Sequence, residues 1–266
     1  RYGEFRKRAS EWPCMRHEGS IFLLAVQFLT RLPIGSAQLY TPERMAASVR
    51  YYPLVGAFIG AFSALVFHLA TYGFAAPIAI LFAIGAGLLL TGAFHEDGLA
   101  DTFDGIGGGV TRERALEIMK DSRLGTYGTL ALIVAFALKA SALMATSPSL
   151  VMLALIVGQG LSRLSSVMVI ATSRYVRDEG TGKPVAGGIS AAGLIVVGLT
   201  GLALIAFWWA FYAPIALLWA VGGLLTGHVL MRLIFEPKLG GYTGDTLGAV
   251  QQVSEIGFYL GLVAWL

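Results

Sequence analysis

The chain alternates long apolar runs with shorter polar segments, and the lengths of the runs predict membrane-spanning helices. An α-helix needs about 20 residues to cross a bilayer, and about seven of the runs come close to that length. A shorter apolar piece at 21–29, closed by Arg31 and Pro33, predicts an interfacial or re-entrant helix instead. The pattern therefore predicts an all-α, polytopic integral membrane bundle. The predicted spanning helices cover residues 55–73, 77–94, 129–145, 151–172, 191–212, 215–235 and 247–266.

Composition agrees with a membrane protein and excludes an ordinary soluble domain. Apolar residues make up 56% of the chain, charged residues only 13%, and the mean hydropathy is +0.72. Soluble domains carry about 25% charged residues. The net charge of +3 is not gathered into a basic stripe, so we expect the lipid bilayer and no nucleic acid as a partner. No repeat divides the chain, which predicts a single domain over 1–266 that begins with a basic cytoplasmic segment at 1–20.

The distribution of basic residues predicts which side of the membrane each loop faces. The loops near Ala75, Ser147 and Ala213 are short and contain no Lys or Arg. Basic residues are concentrated in the long loops instead. By the positive-inside rule, the N-terminus and the long loops are cytoplasmic and the C-terminus lies outside. The basic residues of the long loops are Arg44, Arg50, Arg112, Arg114, Lys120, Arg123, Arg174, Arg177, Lys183 and Lys238.

The stretch HEDGLADTFDG at 95–105 follows an uncharged run and holds four of the sixteen acidic residues of the chain. At about 100° per residue, a helix places Asp97, Asp101 and Asp104 within an arc of roughly 60°. Like charges so placed repel one another. Hard oxygen ligands of this kind suit Mg²⁺ or Mn²⁺, normally completed by substrate phosphates. The stretch therefore predicts a metal site on one face of a helix; the alternative is a solvated loop rich in Asp and Gly.

Three polar loops offer groups that suit phosphate chemistry. In the first, Lys120 and Arg123 can hold a diphosphate by charge-assisted hydrogen bonds, and Gly125 lets the backbone approach a ligand. In the second, Gly-rich backbone surrounds Asp245 at a predicted helix start, which suits a nucleotide or metal contact. The third loop, at 173–183, offers two Arg and one Lys. For that loop, a basic cytoplasmic segment without any ligand is an equally good explanation.

Four ionisable side chains fall inside the predicted spans, where a charged group costs at least ~2.5–3.5 kcal/mol. Each should therefore face the bundle interior or a wet cavity. Arg163 and Glu255 lie at similar depth, which predicts a structural ion pair between them. Lys139 lies deeper and is predicted to hydrogen-bond backbone carbonyls or a polar ligand. His228 and His68 are predicted to be satisfied core or interfacial residues rather than ligands.

Taken together, these stretches resemble the cobalamin synthase family, the adenosylcobinamide-GDP ribazoletransferases. The resemblance runs from about Phe22 to the C-terminus, and the combination is far more specific than any one piece. It is carried by FLTRLP at 28–33, YPLVG at 52–56, HEDGLADTFDG at 95–105, LEIMKDSRLGTYG at 116–128, Ser162-Arg163, the loop of Arg174 and GGYTGDTLGA at 240–249.

The resemblance implies an enzyme of the bacterial cytoplasmic membrane that needs Mg²⁺. Such an enzyme joins adenosylcobinamide-GDP to α-ribazole or its 5′-phosphate, giving adenosylcobalamin or its 5′-phosphate and GMP. The implied metal ligands are Asp97 and Asp101, followed by Asp104, Glu96, Asp121 and Asp245. The implied catalytic groups are Asp101, His95 and Asp104, the last as either a third ligand or the base. The implied substrate contacts are Lys120, Arg123, Gly125, Arg163, Arg174 and Gly244.

The residues also allow two other functions, another membrane phosphotransferase and a transporter. A CDP-alcohol phosphotransferase also carries Asp residues on a helix at the membrane surface, but its four-Asp spacing does not fit here, because Asp101 stands where its Ala-Arg would follow Asp97-Gly98. A transporter would use Lys139, Arg163 and Glu255 as a pathway. Transport favours helices broken by paired Gly or Pro, and the predicted helices show none.

Overall fold

The computed structural model describes residues 13–35, 39–178, 180 and 182–266. The first part of the predicted basic segment, residues 1–12, lies outside this range, as do the side chains of 13–16. The regular structure of the described residues is helical, which confirms the all-α class. The helices are α1 Pro13–Leu29, α2 Pro42–Ser48, α3 Tyr52–Ala70, α4 Ala76–Thr91, α5 Phe94–Gly108, α6 Arg112–Ile118, α7 Thr126–Met144, α8 Pro148–Thr172, α9 Ala191–Phe211, α10 Pro214–Leu239 and α11 Gly244–Trp265.

Each predicted spanning segment falls on a helix, and proline marks where several of them begin. Helices α4, α8 and α10 have a proline in their first turn, directly after the short uncharged loops. Proline suits this position because its fixed φ is already helical and the N–H that it lacks would have no partner there. The apolar run and the proline together therefore explain where these helices start.

The number of membrane crossings differs from the seven predicted. Five segments of the described chain are long and apolar enough to cross alone, namely Pro42–Ala70, α7, α8, α9 and α10. Helices α4 and α5 together form a sixth candidate that is bent by 87°. Helix α11 has 22 residues but is absent from this set, because buried polar side chains such as Gln251, Gln252 and Glu255 lower its hydropathy. The apolar part of α1, His17–Leu29, is too short to cross, as predicted.

The bend between α4 and α5 has a local backbone cause. Gly92 and Ala93 both adopt the left-handed conformation, with φ of 66° and 56°. Within the described chain Ala93 is the one non-glycine residue with positive φ, a conformation that is strained for an L residue. The side chain of Arg31 fills the space beside this turn. The backbone N–H of Arg31 donates to the carbonyl of Leu90 at 2.7 Å. Helix α5 is acidic and is turned by 87° from α4, so it lies across the end of the bundle and outside the spanning segments.

The helices of the bundle approach closely where small residues face one another. A Cβ on Gly223 of α10 would collide with the carbonyl oxygen of Gly257 on α11, and a Cβ on Gly257 would collide with the carbonyl oxygen of Gly223. Small residues of this kind allow close packing between membrane helices. Helix α11 thus lies inside the bundle, in contact with α5, α7, α8 and α10, while α7 and α9 expose large apolar side chains on their outer faces.

Candidate active site

The acidic stretch forms helix α5, as the spacing predicts, so the alternative of a solvated loop is wrong. Its carboxylates nevertheless have different environments. Asp97 is exposed, Asp101 and Glu96 are partly buried, and Asp104 is buried. The structure therefore divides four acidic residues that look alike in the sequence into groups with different neighbours.

Helix α5 crosses the first turn of α11 at a backbone contact. A Cβ on Gly98 would lie 2.7 Å from the carbonyl oxygen of Asp245, so only glycine allows this approach. The first turn of α11 is fixed by a capping box, in which Thr243 and Thr246 exchange side-chain and backbone hydrogen bonds. The crossing carries the carboxylate of Asp245 to the face of α5 that holds Asp97 and Asp101.

The pKa of Asp101 reports this crowding of carboxylates. Burial raises it most, and the nearby charges of Asp245 and Asp97 raise it further, to about 7. Like charges disfavour ionisation of their neighbours, and a bound cation would relieve the repulsion. Asp97, Asp101 and Asp245 are hereafter called the carboxylate cluster.

A buried arginine meets the carboxylate cluster. Nη1 of Arg177 lies 2.7 Å from Oδ2 of Asp245, and only 8% of the Arg177 side chain is exposed. Two backbone hydrogen bonds hold its loop against the start of α11: Val176 N–H donates to Tyr242 O at 3.0 Å, and Tyr242 N–H donates to Arg174 O at 2.8 Å. Because this bridge is non-local, the sequence alone offered only a basic loop and no reason to select Arg177.

The other predicted contacts of these loops have mainly structural partners in the described part of the chain. Arg174 donates from Nε to the carbonyl of Gly240 at 2.7 Å, which ties its loop to the end of α10. Gly244 begins α11 and lines a cavity of about 30 Å³ together with His95 and Tyr52. Their predicted contacts with substrate stay predictions.

Asp104 caps helix α7. Its carboxylate accepts hydrogen bonds from the backbone N–H groups of Gly125 at 2.7 Å and Gly128 at 2.8 Å. A carboxylate at a helix N-terminus satisfies backbone donors that lack helical partners and interacts favourably with the helix dipole. Each oxygen of Asp104 therefore accepts one backbone hydrogen bond from the start of α7. The predicted metal-ligand or base role of Asp104 and the substrate contact of Gly125 stay predictions.

The basic residues after α6 are exposed and do not contact the carboxylate cluster in the described structure. Arg123 pairs with Asp121 at 2.6 Å, and 87% of its side chain is exposed. Hydrogen bonds from Arg123 lower the pKa of Asp121 to about 2. Lys120 is also exposed. Thr111 is the N-cap of α6, and its side chain accepts a hydrogen bond from the backbone N–H of Arg114. The phosphate roles of Lys120 and Arg123 and the metal role of Asp121 stay predictions.

A second polar cluster lies inside the bundle. Lys139 pairs with Glu255 at 3.2 Å and donates to Gln252 at 2.9 Å, and Gln252 donates to Glu96 at 2.8 Å. The predicted pair of Arg163 with Glu255 is wrong, because Arg163 donates to Gln159, and Gln159 in turn donates to Glu255.

These interior groups line a polar cavity of about 20 Å³, enough for one water molecule. His95, Glu96 and Arg163 are among its lining residues, and His95 and Arg163 also line the cavity that contains Gly244. The predicted catalytic role of His95, the metal role of Glu96 and the substrate contact of Arg163 stay predictions. The core prediction for His228 is confirmed, because its Nδ1 lies 2.8 Å from Oγ of Ser165, while the ring of His68 packs edge-on against Tyr72 at the surface.

The carboxylate cluster is the described group that fits a hard cation best. No three His, Cys, Asp or Glu side chains among the described residues are arranged to hold one metal ion as they stand. Mg²⁺, however, usually takes one or two carboxylates and completes its shell with water and phosphate oxygens. Asp97 is exposed, and Oδ2 of Asp245 has no hydrogen-bond partner with acceptable geometry in the described structure. The chemistry of the donors therefore fits Mg²⁺ with phosphate.

Fold and site together define a multi-pass helical membrane protein with a cluster of carboxylates and a buried arginine at one end of its bundle. Comparison with known families narrows this class of protein to one family. The chain matches the model of the cobalamin-5-phosphate synthase family over residues 21–263 and belongs to that family. No solved structure matches the chain.

Relatives with assigned names agree with this family. A protein of Leptothrix cholodnii named adenosylcobinamide-GDP ribazoletransferase is 43% identical over 254 residues, which cover 93% of this chain and 96% of the relative. Proteins of the same name in Vibrio cholerae and Shewanella piezotolerans are 44% and 43% identical, over 95% and 93% of this chain and 96% of each relative. The likeness thus spans both the bundle and the site.

Proposed function

We propose that the protein is an enzyme that transfers the adenosylcobinamide-phosphate group of adenosylcobinamide-GDP to α-ribazole or its 5′-phosphate. The ribazole hydroxyl forms a new O–P bond with the cobinamide-linked phosphorus, the diphosphate bridge breaks, and GMP leaves. The products are adenosylcobalamin, or its 5′-phosphate, and GMP. The observation that carries the proposal is the 43–44% identity to proteins of that name over nearly the whole chain.

The carboxylate cluster supports this chemistry. Bound Mg²⁺ would neutralise charge on the diphosphate as the leaving group departs. Asp97, Asp101 and Asp245 would supply the protein ligands. Since Mg²⁺ needs only one or two of them beside phosphate oxygens, a remaining carboxylate is available to accept the proton of the ribazole hydroxyl. Asp104 is the weaker candidate for both roles, because its two oxygens accept backbone hydrogen bonds.

We also propose that the site faces the cytoplasm of a bacterial inner membrane. The long basic loops contact one another: Arg112 donates to Leu239 O at 2.7 Å, and Lys238 donates to Ile106 O at 2.6 Å. They therefore share one side of the bundle with α5. The positive-inside rule assigns such a side to the cytoplasm.

The test is release of GMP from adenosylcobinamide-GDP by the purified protein in detergent, with and without α-ribazole and Mg²⁺. We expect release only when both are present. Asp97→Asn should lower the rate by orders of magnitude without unfolding the protein, because Asp97 is exposed and asparagine has nearly the same size and shape. Glu113→Gln, which removes an exposed charge on α6, is the matched control and should act like the parent.

Absence of GMP release under all conditions would contradict the proposed reaction. Full activity of Asp97→Asn at saturating Mg²⁺ would contradict the metal assignment alone. A protein that releases CMP from a CDP-alcohol instead would belong to the alternative class of phosphotransferases.

A further inference from the structure

Arg177 is a buried cation with unused hydrogen-bonding capacity. Its Nε and Nη2 atoms are buried and have no hydrogen-bond partner in the described structure. Its Nη1 forms the ion pair with Oδ2 of Asp245 at 2.7 Å. A guanidinium buried with two unsatisfied donors is costly unless a ligand completes its contacts.

The surroundings of Arg177 indicate which ligand would complete them. Guanidinium donors on one edge match two oxygens of a phosphate in a bidentate arrangement. The neighbouring carboxylates exclude a bare anion, because they repel it. A phosphate that carries Mg²⁺ is different, since the metal satisfies the carboxylates while the phosphate oxygens face the guanidinium.

We infer that Arg177 is a phosphate-binding residue that exchanges partners when metal and substrate arrive. Without metal, Arg177 neutralises Asp245 and so takes the position of a cation in the carboxylate cluster. With these carboxylates holding Mg²⁺, Arg177 would leave Asp245 and donate to the diphosphate, and after the reaction to the phosphate of GMP. This inference rests on the proposed function and adds a substrate contact that the sequence motifs did not single out.

The exchange predicts opposite effects on two ligands. Removing the guanidinium removes a competitor for Asp245, so Mn²⁺ alone should bind more tightly. The same change removes charge-assisted hydrogen bonds to phosphate, so GMP in the presence of metal should bind about tenfold to a hundredfold more weakly. If Arg177 only anchored its loop, its replacement would lower the affinities for Mn²⁺ and GMP together.

The experiment compares the full-length parent with Arg177→Gln, Arg177→Lys and Lys183→Gln in detergent. Lys183 belongs to the same loop, is exposed and lies 6.0 Å from the ring centroid of Tyr175, so its loss removes the same charge without touching the carboxylate cluster. Mn²⁺ binding is followed by electron paramagnetic resonance. GMP binding at saturating Mn²⁺ is followed by calorimetry.

We expect Arg177→Gln to bind Mn²⁺ more tightly and GMP more weakly than the parent. Arg177→Lys keeps the charge beside Asp245 but loses the two-donor fork, so it should bind Mn²⁺ like the parent and GMP more weakly. Lys183→Gln should match the parent for both ligands. Unchanged GMP affinity in Arg177→Gln, or Mn²⁺ affinity that does not rise, would overturn the inference.

The activity of the parent protein distinguishes a failure of this inference from a failure of the proposed function. GMP release from adenosylcobinamide-GDP by the parent is measured in the same preparation. If the parent turns over and Arg177→Gln fails the binding pattern, the inference is wrong and the function stands. If the parent shows no turnover, the proposed function fails whatever the Arg177 variants do.

Discussion

At the scale of single residues, the environment of each carboxylate of α5 decides what it can do. Asp97 faces solvent, Asp101 lies among other carboxylates, Glu96 accepts a hydrogen bond from Gln252, and Asp104 caps the next long helix. Helical periodicity predicts that Asp97, Asp101 and Asp104 share a face. It cannot predict the cap, because that depends on where α7, whose N-cap Gly125 lies 21 residues after Asp104, returns to it.

The cap leads to a prediction that separates stability from metal binding. Asp104→Ala should lower the free energy of unfolding by about 1–3 kcal/mol, because the buried N–H of Gly128 and the partly buried N–H of Gly125 lose a charged acceptor. Its Mn²⁺ affinity should stay close to that of the parent. Thermal unfolding in detergent and Mn²⁺ titration measure the two effects, with Asp178→Ala on an exposed loop as control. A stable Asp104→Ala protein that has lost Mn²⁺ binding would restore Asp104 as a metal ligand.

At the scale of helices, the site depends on how closely α5 and α11 cross. Gly98→Ala would place a Cβ 2.7 Å from the carbonyl oxygen of Asp245, and backbone cannot move aside as a flexible side chain can. We expect the helices to separate, at a cost of about 1–3 kcal/mol in stability. Mn²⁺ affinity should fall with it, because Asp245 moves away from Asp97 and Asp101.

The matched control is Gly222→Ala on α10, where a Cβ would meet no atom within 4 Å. This change should leave both stability and Mn²⁺ affinity near the parent values. Parent-like metal binding by Gly98→Ala would show that the crossing does not position the carboxylate cluster.

The interior ion pair between Lys139 of α7 and Glu255 of α11 joins two helices and is expected to stabilise the bundle. Lys139→Met should destabilise the protein by about 3–5 kcal/mol, because it leaves the fully buried Glu255 without its cation. The double change Lys139→Met with Glu255→Gln should recover much of that loss, since no charge then remains unpaired. Thermal unfolding of the parent, the two single variants and the double variant measures this coupling. Additive losses in the double variant would contradict it.

The helices themselves were predictable because an apolar run of membrane length can satisfy its backbone only by folding into a helix. The bend at Gly92–Ala93 was not predictable, because the apolar run continues through it and alanine rarely adopts a left-handed conformation. The sequence predicts an apolar span with one acidic residue where α11 presents a polar face. Its role as a central helix becomes visible only when Gln252 and Glu255 meet Lys139 from α7.

At the scale of the whole molecule, the long loops meet on one side of the bundle, which makes membrane orientation testable. In a parent lacking Cys14, the only cysteine of the chain, single cysteines at Gly108 and Lys183 should react with a reagent applied from the cytoplasmic side. A cysteine at Ser147, in an uncharged loop, should react only from outside. All three positions are exposed. Labelling of Gly108 and Lys183 from opposite sides would exclude a shared site.

The site combines residues from three distant parts of the chain, and this limits what the sequence can predict. Helical spacing predicts that Asp97 and Asp101 share a face, and a Gly-rich helix start predicts a ligand contact at Asp245. Arg177 carries no local signal, because its position follows from the bridge between Val176 and Tyr242. Local patterns thus predict which residues carry chemistry, whereas their pairing depends on contacts between segments that are far apart in the chain.

The shortness of α4 connects the site to the thickness of the membrane. With 16 residues and a rise of 1.5 Å per residue, α4 is about 24 Å long, less than the roughly 30 Å of a typical hydrocarbon core. Only the turn at Gly92–Ala93 separates α4 from α5, so the depth of α4 in the membrane also sets the position of α5. The surrounding lipid must therefore thin locally, or the acidic helix is drawn toward the headgroups. Acyl-chain length thus becomes a variable that sets how far the carboxylates stand from water.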